Sequence, residues 1–274
     1  MKVAVIQMVS STDVQANMAQ ARELLHQASL CGAELAVLPE YFCLMGQRDT
    51  DKLAIAEPFG QGPLQQFLAE TARAERLWLV GGTIPLLADG AASSGRVFNA
   101  SLAFSPDGAC IARYNKIHLF RFDNGTERYD ESAVLVAGTE AVSFDLDSRD
   151  GHRWRIGMSV CYDMRFPELY RAYADAGVHL VLAPSAFTYT TGQAHWEVLL
   201  RARAIENLVF LAAAAQGGQH DNGRQTWGHA MLIDPWGQVL AQRAQQAGVV
   251  LADLDFEQLT ACRSQLPALQ HRVL

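Results

Sequence analysis

Short apolar runs alternate with two separate groups of amphipathic helices, and this alternation is what most constrains the fold. Early apolar runs of strand length span Val3–Met8, Leu35–Leu38 and Leu77–Val80, and later ones span Leu180–Ala183 and Leu208–Ala215. The pattern predicts about a dozen strands, with helices before and after a strand-rich middle. It favours an α/β fold of two sheets packed face to face with helices outside, although periodicity alone leaves a single doubly wound sheet open.

The middle of the chain is predicted to be mostly β-structure. Two apolar runs flank the turn Ser105-Pro106-Asp107-Gly108 and predict a hairpin of 97–104 with 109–114. The segment 120–138 is polar and rich in turn residues, which predicts a long loop. Strands are expected at 142–146 and 154–160.

Besides a helix that follows the cysteine described below, four helices are predicted from the spacing of apolar residues and from residues at their ends. Asp13 is a candidate N-cap for a helix that Gly32 ends, and Asp255 begins the final helix. Between them, helical spacing predicts helices over 64–75 and 194–207.

Composition limits the classes of protein to which the chain can belong. Of 274 residues, 50% are hydrophobic and 19% are charged, and no low-complexity linker interrupts them. We therefore predict a single domain over residues 1–274. The net charge of −7, without dense Lys/Arg clusters, argues against a nucleic-acid partner. No apolar run approaches the ~20 residues of a spanning helix, so no membrane role is predicted.

The cysteine and histidine spacings predict neither a metal site nor a disulfide framework. The five cysteines contain no Cys-x-x-Cys pair, and no His-Glu-x-x-His motif occurs. The first apolar run is too short for a signal peptide. These features predict a cytoplasmic protein without a metal or a cofactor.

One cysteine occupies an unusual position in this pattern. Cys161 follows the apolar run that ends at Val160, and Pro167 and Glu168 begin an amphipathic helix soon after it. A strand-to-helix corner holds a side chain at the rim of a sheet, beside backbone N–H groups that can bind an oxyanion. Taken alone, an ordinary buried cysteine is the commoner explanation.

Two other strand ends carry residues that complement this thiol. Glu40 follows one predicted strand and Lys116 follows another. Either could simply be a solvated strand end, but a carboxylate, an ammonium and a thiol together suit amide hydrolysis through a thioacyl intermediate. His118 or His229 could instead serve as the base, and the sequence alone leaves that alternative open.

Three segments together carry a resemblance to the nitrilase superfamily of carbon–nitrogen hydrolases. They are Leu38-Pro39-Glu40-Tyr41, Tyr114-Asn115-Lys116-Ile117-His118-Leu119-Phe120 and Cys161-Tyr162-Asp163-Met164-Arg165-Phe166-Pro167-Glu168. The resemblance implies a four-layer αββα sandwich and a homodimer or larger homo-oligomer. It also implies that Glu40 is the general base, Lys116 the oxyanion stabiliser and Cys161 the nucleophile, with the Tyr162 N–H as second oxyanion donor.

The resemblance also implies roles for residues around this triad. Glu131, in the loop after the lysine, matches a second glutamate that positions the substrate amide. Tyr41, Phe187 and Thr191 match residues that line the substrate pocket. Composition alone would make Glu131 a solvated loop acid.

Arg165 lies about one helical turn beyond Cys161, so its guanidinium could enter the same pocket. In relatives that act on carboxylate-bearing amides, the matching arginine binds the carboxylate, a contact for which a guanidinium is well suited. The alternative is a structural ion pair with Glu168 or Asp163.

Further segments resemble the branch of the superfamily that contains deaminated glutathione amidases and ω-amidases. They are the segments 184–187, 194–206, 228–231 and 266–272. Within this branch, the segment 212–220 is more similar to the deaminated glutathione amidases than to the ω-amidases. The resemblance implies hydrolysis of a small carboxylate-bearing amide, with deaminated glutathione as the first candidate, and release of an amine or ammonia. The alternatives are an ω-amidase acting on α-ketoglutaramate and a catalytically silent interaction scaffold. A thiol-redox protein is disfavoured because no resolving cysteine lies near Cys161.

Overall fold

The computed structural model describes residues 1–88 and 95–273. Within them, the strands form a ten-stranded sheet, a six-stranded sheet and a separate two-stranded hairpin. The strand count exceeds the predicted dozen because several short pairings, such as Leu135–Val136, have no apolar periodicity of their own.

The first sheet is built around the strand Lys2–Met8, which pairs in parallel with Leu35–Val37 and antiparallel with Gly248–Asp253. Its other strands extend the sheet on both sides. They are Trp78–Val80, Ile84–Leu87, Val97–Phe104, Cys110–Asn115, Leu135–Val136, Ala215–Gln219 and Gln225–Trp227.

The second sheet combines parallel and antiparallel pairs. Its strands, in spatial order, are Ser143–Asp147, Arg153–Met158, Leu180–Leu182, Phe210–Ala213, Ala230–Ile233 and Val239–Arg243. Three neighbouring strands, Arg153–Met158, Leu180–Leu182 and Phe210–Ala213, run parallel, so their carboxyl ends meet at one edge of the sheet. The segment that carries Cys161 leaves the sheet at this edge.

Five α-helices occur in the part of the chain that the structure describes. They are Val14–Leu30, Pro63–Glu75, Pro167–Asp175, Tyr189–Asn207 and Phe256–Gln265. The predicted cap Asp13 is confirmed, since its carboxylate accepts hydrogen bonds from two backbone N–H groups of the first turn. Asp255, predicted to begin the final helix, instead caps it by accepting the Glu257 N–H. None of the described helices combines the length and the apolar character that crossing a membrane requires.

The strand Lys2–Met8 shows how the layers form. Its side chains alternate between two apolar clusters: Val3 and Val5 pack with the second sheet, whereas Ala4 and Ile6 pack with the first two helices. The helices Pro167–Asp175 and Tyr189–Asn207 cover the second sheet through aromatic side chains, including Tyr170, Tyr173 and Trp196. The predicted αββα sandwich is confirmed.

The prediction of a long loop over 120–138 is wrong. Arg121–Asp123 pairs with Arg128–Asp130, and a short 3-10 helix and a further strand follow. The Asn124 side chain accepts hydrogen bonds from the N–H groups of Thr126 and Glu127, which stabilises a tight turn. The hairpin escaped prediction because its side chains are mostly exposed and show no clear alternation.

Several predicted boundaries also move, and two of them lie next to the site. The strand before the cysteine ends at Met158 rather than at Val160, because Val160 already donates its N–H to a side chain of the corner. The fourth helix begins at Tyr189 rather than at Ala194, because the Thr188 hydroxyl caps it.

We expect stability to fall on acidification because of His179. Its Nδ1 accepts the Arg155 N–H at 2.9 Å, and burial, with Arg263 and Arg155 nearby, lowers its pKa from 6.5 to about 4. The unfolded chain therefore binds more protons below pH 6.5, and the neutral folded form loses its advantage as the pH falls towards 4. Solvent screening of the partly exposed ring reduces the effect, so between pH 7 and 4.5 the loss is about 1 kcal/mol.

This expectation is measured by urea unfolding of the wild type and His179→Gln across that pH range. Glutamine keeps an acceptor but does not titrate, so the difference between the two free energies of unfolding should shrink by about 1 kcal/mol at the acidic end. Parallel pH profiles would contradict this assignment.

Candidate active site

Glu40, Lys116 and Cys161, which are far apart in the sequence, lie together where their strands end. The Lys116 ammonium donates to Glu40 Oε1 at 2.9 Å, and the Cys161 thiol lies beside the same carboxylate, so that each group shifts the pKa of the other. Glu40 and Cys161 line one cleft together with Glu131.

Glu40 is held from several sides in a nearly closed environment. Its side chain is 1% exposed; Oε1 also accepts from Asn99 Nδ2 and Oε2 accepts from the Ala186 N–H, each at 2.9 Å. Its backbone carbonyl accepts from Gln216 Nε2 at 3.1 Å. Sequence reasoning missed Asn99; its signal was a single amide within the apolar run of the strand Val97–Phe104.

A close backbone approach fixes the segment that carries Glu40. Gly82 has φ +52°, and a Cβ at this position would lie 2.0 Å from the Pro39 carbonyl oxygen. Next to it, the Thr83 hydroxyl accepts the Tyr41 N–H at 2.9 Å. Glycine at this position therefore allows the Glu40 segment to pack directly on the neighbouring strand connection.

The environment of Glu40 favours proton uptake. Burial raises the pKa of its carboxyl, and the opposite effect of the Lys116 ammonium does not cancel this rise. A carboxylate with a raised pKa beside a thiol is suited to accept the thiol proton.

Lys116 lies between two carboxylates. Besides Glu40, its Nζ donates to both oxygens of Glu131, at 2.9 and 2.8 Å. Burial alone would lower the pKa of this ammonium, but Glu131 and Glu40 outweigh it and raise the pKa well above its ordinary value. The ammonium therefore stays charged.

Glu131 links the hairpin to the rest of the cleft. Its Oε1 accepts from the Tyr41 hydroxyl at 2.8 Å, and its Oε2 accepts the Phe120 N–H at 2.7 Å. All these contacts use the carboxylate as an acceptor, so Glu131 is an ordered member of the cleft rather than a solvated loop acid.

Cys161 sits in a constrained backbone conformation. Its φ is +51°, in the left-handed region that a residue with a Cβ rarely adopts, and its N–H donates to the Pro184 carbonyl at 3.0 Å. The side chain is 8% exposed. Burial and the nearby Glu40 carboxylate raise the pKa of the thiol well above its ordinary value, so the thiol is protonated at rest.

The predicted corner takes the form of a 3-10 helix, Cys161–Arg165, before the α-helix that begins at Pro167. Tyr162 follows the cysteine in its first turn, where backbone N–H groups have no partner within the helix. This N–H is thus near the thiol and available to a ligand.

Asp163 joins the cysteine corner to the lysine segment. This fully buried carboxylate accepts from the Tyr114 hydroxyl at 2.6 Å and from the Val160 N–H at 2.8 Å. It also binds the backbone N–H and Nδ1 of His118, at 2.9 and 2.8 Å. Sequence reasoning missed this role, for which the only signal was an acid inside an apolar corner.

The same contacts bear on the histidine alternatives. His118 stacks on Phe166 with ring centroids 3.6 Å apart and is absent from the residues that line the cleft. His229 stacks on Trp227 instead and is absent from that lining as well. Neither imidazole is in position to accept the Cys161 proton.

Arg165, Phe187 and Thr191 line a second pocket that also opens on Cys161. The guanidinium lies over the rings of Tyr162 and Phe187, 5.7 and 5.4 Å from their centroids. Its Nε is buried without a hydrogen-bond partner in the described part of the chain.

The alternative of a structural ion pair for Arg165 finds no support. Among the described residues the guanidinium forms no ion pair, either with Glu168 or with Asp163. Its Nη1 lies 3.3 Å from His195 Nδ1. A guanidinium without a carboxylate partner, facing a pocket, can bind an anion.

The described residues contain no group of three or more His, Cys, Asp or Glu side chains placed to hold a metal ion. Cys161, Glu40 and Glu131 line the cleft, the buried Lys116 ammonium lies between the two glutamates, and the Arg165 guanidinium lines the adjoining pocket. This arrangement can perform nucleophilic and acid–base chemistry with protein groups alone.

Known proteins with similar sequences are named as amidases, which hydrolyse carbon–nitrogen bonds. The sequence profile described as "Carbon-nitrogen hydrolase" matches residues 2–264. A deaminated glutathione amidase of Synechocystis sp. is 40% identical over 98% of this chain and 97% of that protein. The human protein named Omega-amidase NIT2 is 35% identical over 99% of this chain and 94% of its own length.

Solved structures are also similar. Nit3 of Saccharomyces cerevisiae, described as a member of branch 10 of the nitrilase superfamily, matches with a TM-score of 0.84 and 30% identity, over 97% of this chain and 94% of that one. A Nesterenkonia sp. AN1 amidase carrying acrylamide, added to its active-site cysteine, matches with a TM-score of 0.76 and 27% identity, over 97% and 98%.

Proposed function

The chain belongs to the carbon–nitrogen hydrolase family, and we propose that it hydrolyses a small carboxylate-bearing linear amide with Cys161 as the nucleophile. The observation that carries this proposal is the buried contact of Glu40 with both the Cys161 thiol and the Lys116 ammonium. The adduct at the active-site cysteine of the Nesterenkonia amidase supports the choice of the thiol.

In the first half of the proposed reaction, Glu40 accepts the thiol proton as Sγ attacks the amide carbonyl carbon. The oxyanion formed is stabilised by the Lys116 ammonium and the Tyr162 N–H. The C–N bond then breaks, and Glu40 returns the proton to the leaving nitrogen, which departs as an amine or ammonia. The acyl group remains on the sulfur as a thioester.

In the second half, Glu40 accepts a proton from a water molecule whose oxygen attacks the thioester carbon. The same two donors stabilise the second oxyanion, and the C–S bond breaks. The thiolate takes up the proton held by Glu40, and the product leaves as a carboxylic acid, which ionises. Glu40 thus serves both halves, which its raised pKa supports.

We assign Glu131 a positioning role. Its carboxylate holds the Lys116 ammonium and the Tyr41 hydroxyl, and both lie beside the thiol. It also lines the cleft, so one of its oxygens can accept a hydrogen bond from the substrate amide.

For the substrate, we propose deaminated glutathione, whose acyl and amine halves each carry a carboxylate. The 40% identity to the Synechocystis amidase of that name supports this choice. α-Ketoglutaramate, which shares the acyl half but releases ammonia, is the second candidate because of the similarity to Omega-amidase NIT2. Arg165, with Phe187 and Thr191 around it, would bind the carboxylate of the acyl half.

An Arg165→Met variant tests the substrate class. Loss of a charge-assisted contact of about 2–4 kcal/mol should reduce kcat/KM about 30- to 1000-fold for carboxylate-bearing amides. Simple aliphatic amides should be far less affected, because they have no group for Arg165 to bind. Steady-state kinetics on both substrate types measure the difference.

Arg171→Met is the matched control, since Arg171 lies in the next helix and binds the Glu206 carbonyl. Equal losses on both substrate types would mean that Arg165 supports the fold instead. If the wild type preferred neutral amides or nitriles, the proposed substrate class would be wrong. The proposal that Cys161 is the nucleophile would be unaffected.

We further propose a single domain that acts as a cytoplasmic homodimer or larger homo-oligomer. The exposed apolar side chains Val198 and Trp236 support self-association, since such residues are costly to leave in water. Light scattering measures the mass directly. A silent scaffold is the less supported alternative, because Cys161 and Glu40 line the cleft and Glu40 binds the Lys116 ammonium.

A further inference from the structure

The cleft extends outward from Cys161 to a wall that carries two cations. Lys52 and Arg224 line the same pocket as Cys161 and Glu40, together with Asp49 and Tyr129. None of these four outer residues has a part in the reaction described above. Their position at one end of the cleft raises the question of what part of a substrate they meet.

The two cations differ in how they are paired. Arg224 donates to Asp49 Oδ1 at 2.7 Å and lies over the Tyr129 ring, 6.0 Å from its centroid. Lys52, among the described residues, has neither an ion pair nor a hydrogen bond; its Nζ lies 4.6 Å from the centroid of the Tyr41 ring. Lys52 is therefore the cation with free donors.

Lys52 is also partly withdrawn from water. It belongs to the short 3-10 helix Asp49–Ile55, and its side chain is half-buried. Burial lowers the pKa of its ammonium, and the more distant carboxylates of Glu131 and Asp49 oppose this only in part. A carboxylate that entered the cleft would compensate a charge that the protein leaves without a close partner.

The proton transfers indicate which half of the substrate reaches Lys52. Glu40, which returns a proton to the leaving nitrogen, lines the pocket of Lys52 but not the pocket of Arg165. The amine half must therefore lie on the Lys52 side of the thiol, and the acyl half on the Arg165 side. Cys161 lies between the two and opens on both pockets.

We propose that Lys52 binds a carboxylate on the amine half of the substrate, so that the site recognises amides carrying an anionic group on each side of the scissile bond. The amine released would then be an amino acid or a short peptide with a free carboxyl terminus. This inference rests on the proposed amidase function and adds a specificity-determining residue to it. It also favours a substrate with a peptide-like amine half over one that releases ammonia.

The test compares two amides with the same 4-carboxy-4-oxobutanoyl acyl group. In one, the amine half is a dipeptide with a free C-terminal carboxylate; in the other, the same dipeptide ends in a carboxamide. For the wild type, kcat/KM should be at least about ten-fold higher for the free carboxylate, mainly through a lower KM. In Lys52→Met this ratio should fall to about one.

Arg165→Met serves as the matched variant, because it removes a cation from the other pocket. It should lower kcat/KM for both amides and leave their ratio as in the wild type. A wild-type ratio near one, or a ratio unchanged in Lys52→Met, would overturn the role of Lys52. If the wild type hydrolysed neither these amides nor α-ketoglutaramate, the proposed function itself would fail, which is a separate outcome.

Discussion

A Cys161→Ala variant is expected to lose at least about 10³-fold in kcat, with a residual rate at or near background. Without the thiol no thioacyl intermediate can form, and the remaining groups stabilise an oxyanion that no protein nucleophile generates. Hydrolysis assays on a carboxylate-bearing amide measure the loss. Mass spectrometry of the wild type during turnover should detect the acyl group on Cys161.

Cys43→Ala is the matched control, because Cys43 is buried like Cys161 and also lies shortly after a parallel strand, Leu35–Val37. Burial raises the pKa of its thiol to about 12, its Sγ lies 3.9 Å from the Thr83 carbonyl oxygen, and it lines neither pocket that opens on Cys161. This variant, and alanine variants of Cys31, Cys110 and Cys262, should keep activity. Full activity in Cys161→Ala would exclude the proposed mechanism.

Glu40→Gln and Lys116→Arg are each expected to reduce kcat about 10³-fold or more. Glutamine is nearly isosteric with glutamate but cannot accept the thiol proton, and a broad guanidinium cannot replace a compact ammonium held between two carboxylates. Because the groups act as one unit, the double variant should be little worse than either single one.

His118→Gln distinguishes the two candidate bases. His118 binds Asp163 rather than the thiol, so this variant should stay within about ten-fold of the wild type. A Glu40→Gln variant within a few-fold of the wild type would instead show that the base lies elsewhere. Thermal unfolding of each variant separates a loss of catalysis from a loss of folded protein.

Periodicity predicted many of the strands and helices, because these depend on residues close together in the chain, whereas it left the number of sheets open. Apolar alternation located the strand Lys2–Met8, and a carboxylate before the first turn located the helix N-termini at Asp13 and Asp255. The hairpin of 121–130 lacked such a local signal, so it could not be distinguished from a loop.

In the site, the residues to which we assign the reaction were easier to single out from the sequence than those that hold them. Glu40, Lys116 and Cys161 each interrupt a recognisable pattern at a strand end. Asn99 and Asp163 do not: their function depends on which strand lies beside which. The position of Lys52 could not be predicted for the same reason, since only the folded chain brings its helix to the cleft.

The contacts of Glu40 have a consequence for how activity returns during refolding. They join residues separated by 76, 146 and 176 positions, to Lys116, Ala186 and Gln216. Contacts of such long sequence separation close large loops and form slowly. An intermediate that lacks one sheet would leave the carboxylate without its partners, so catalytic competence should appear only with the last and slowest step.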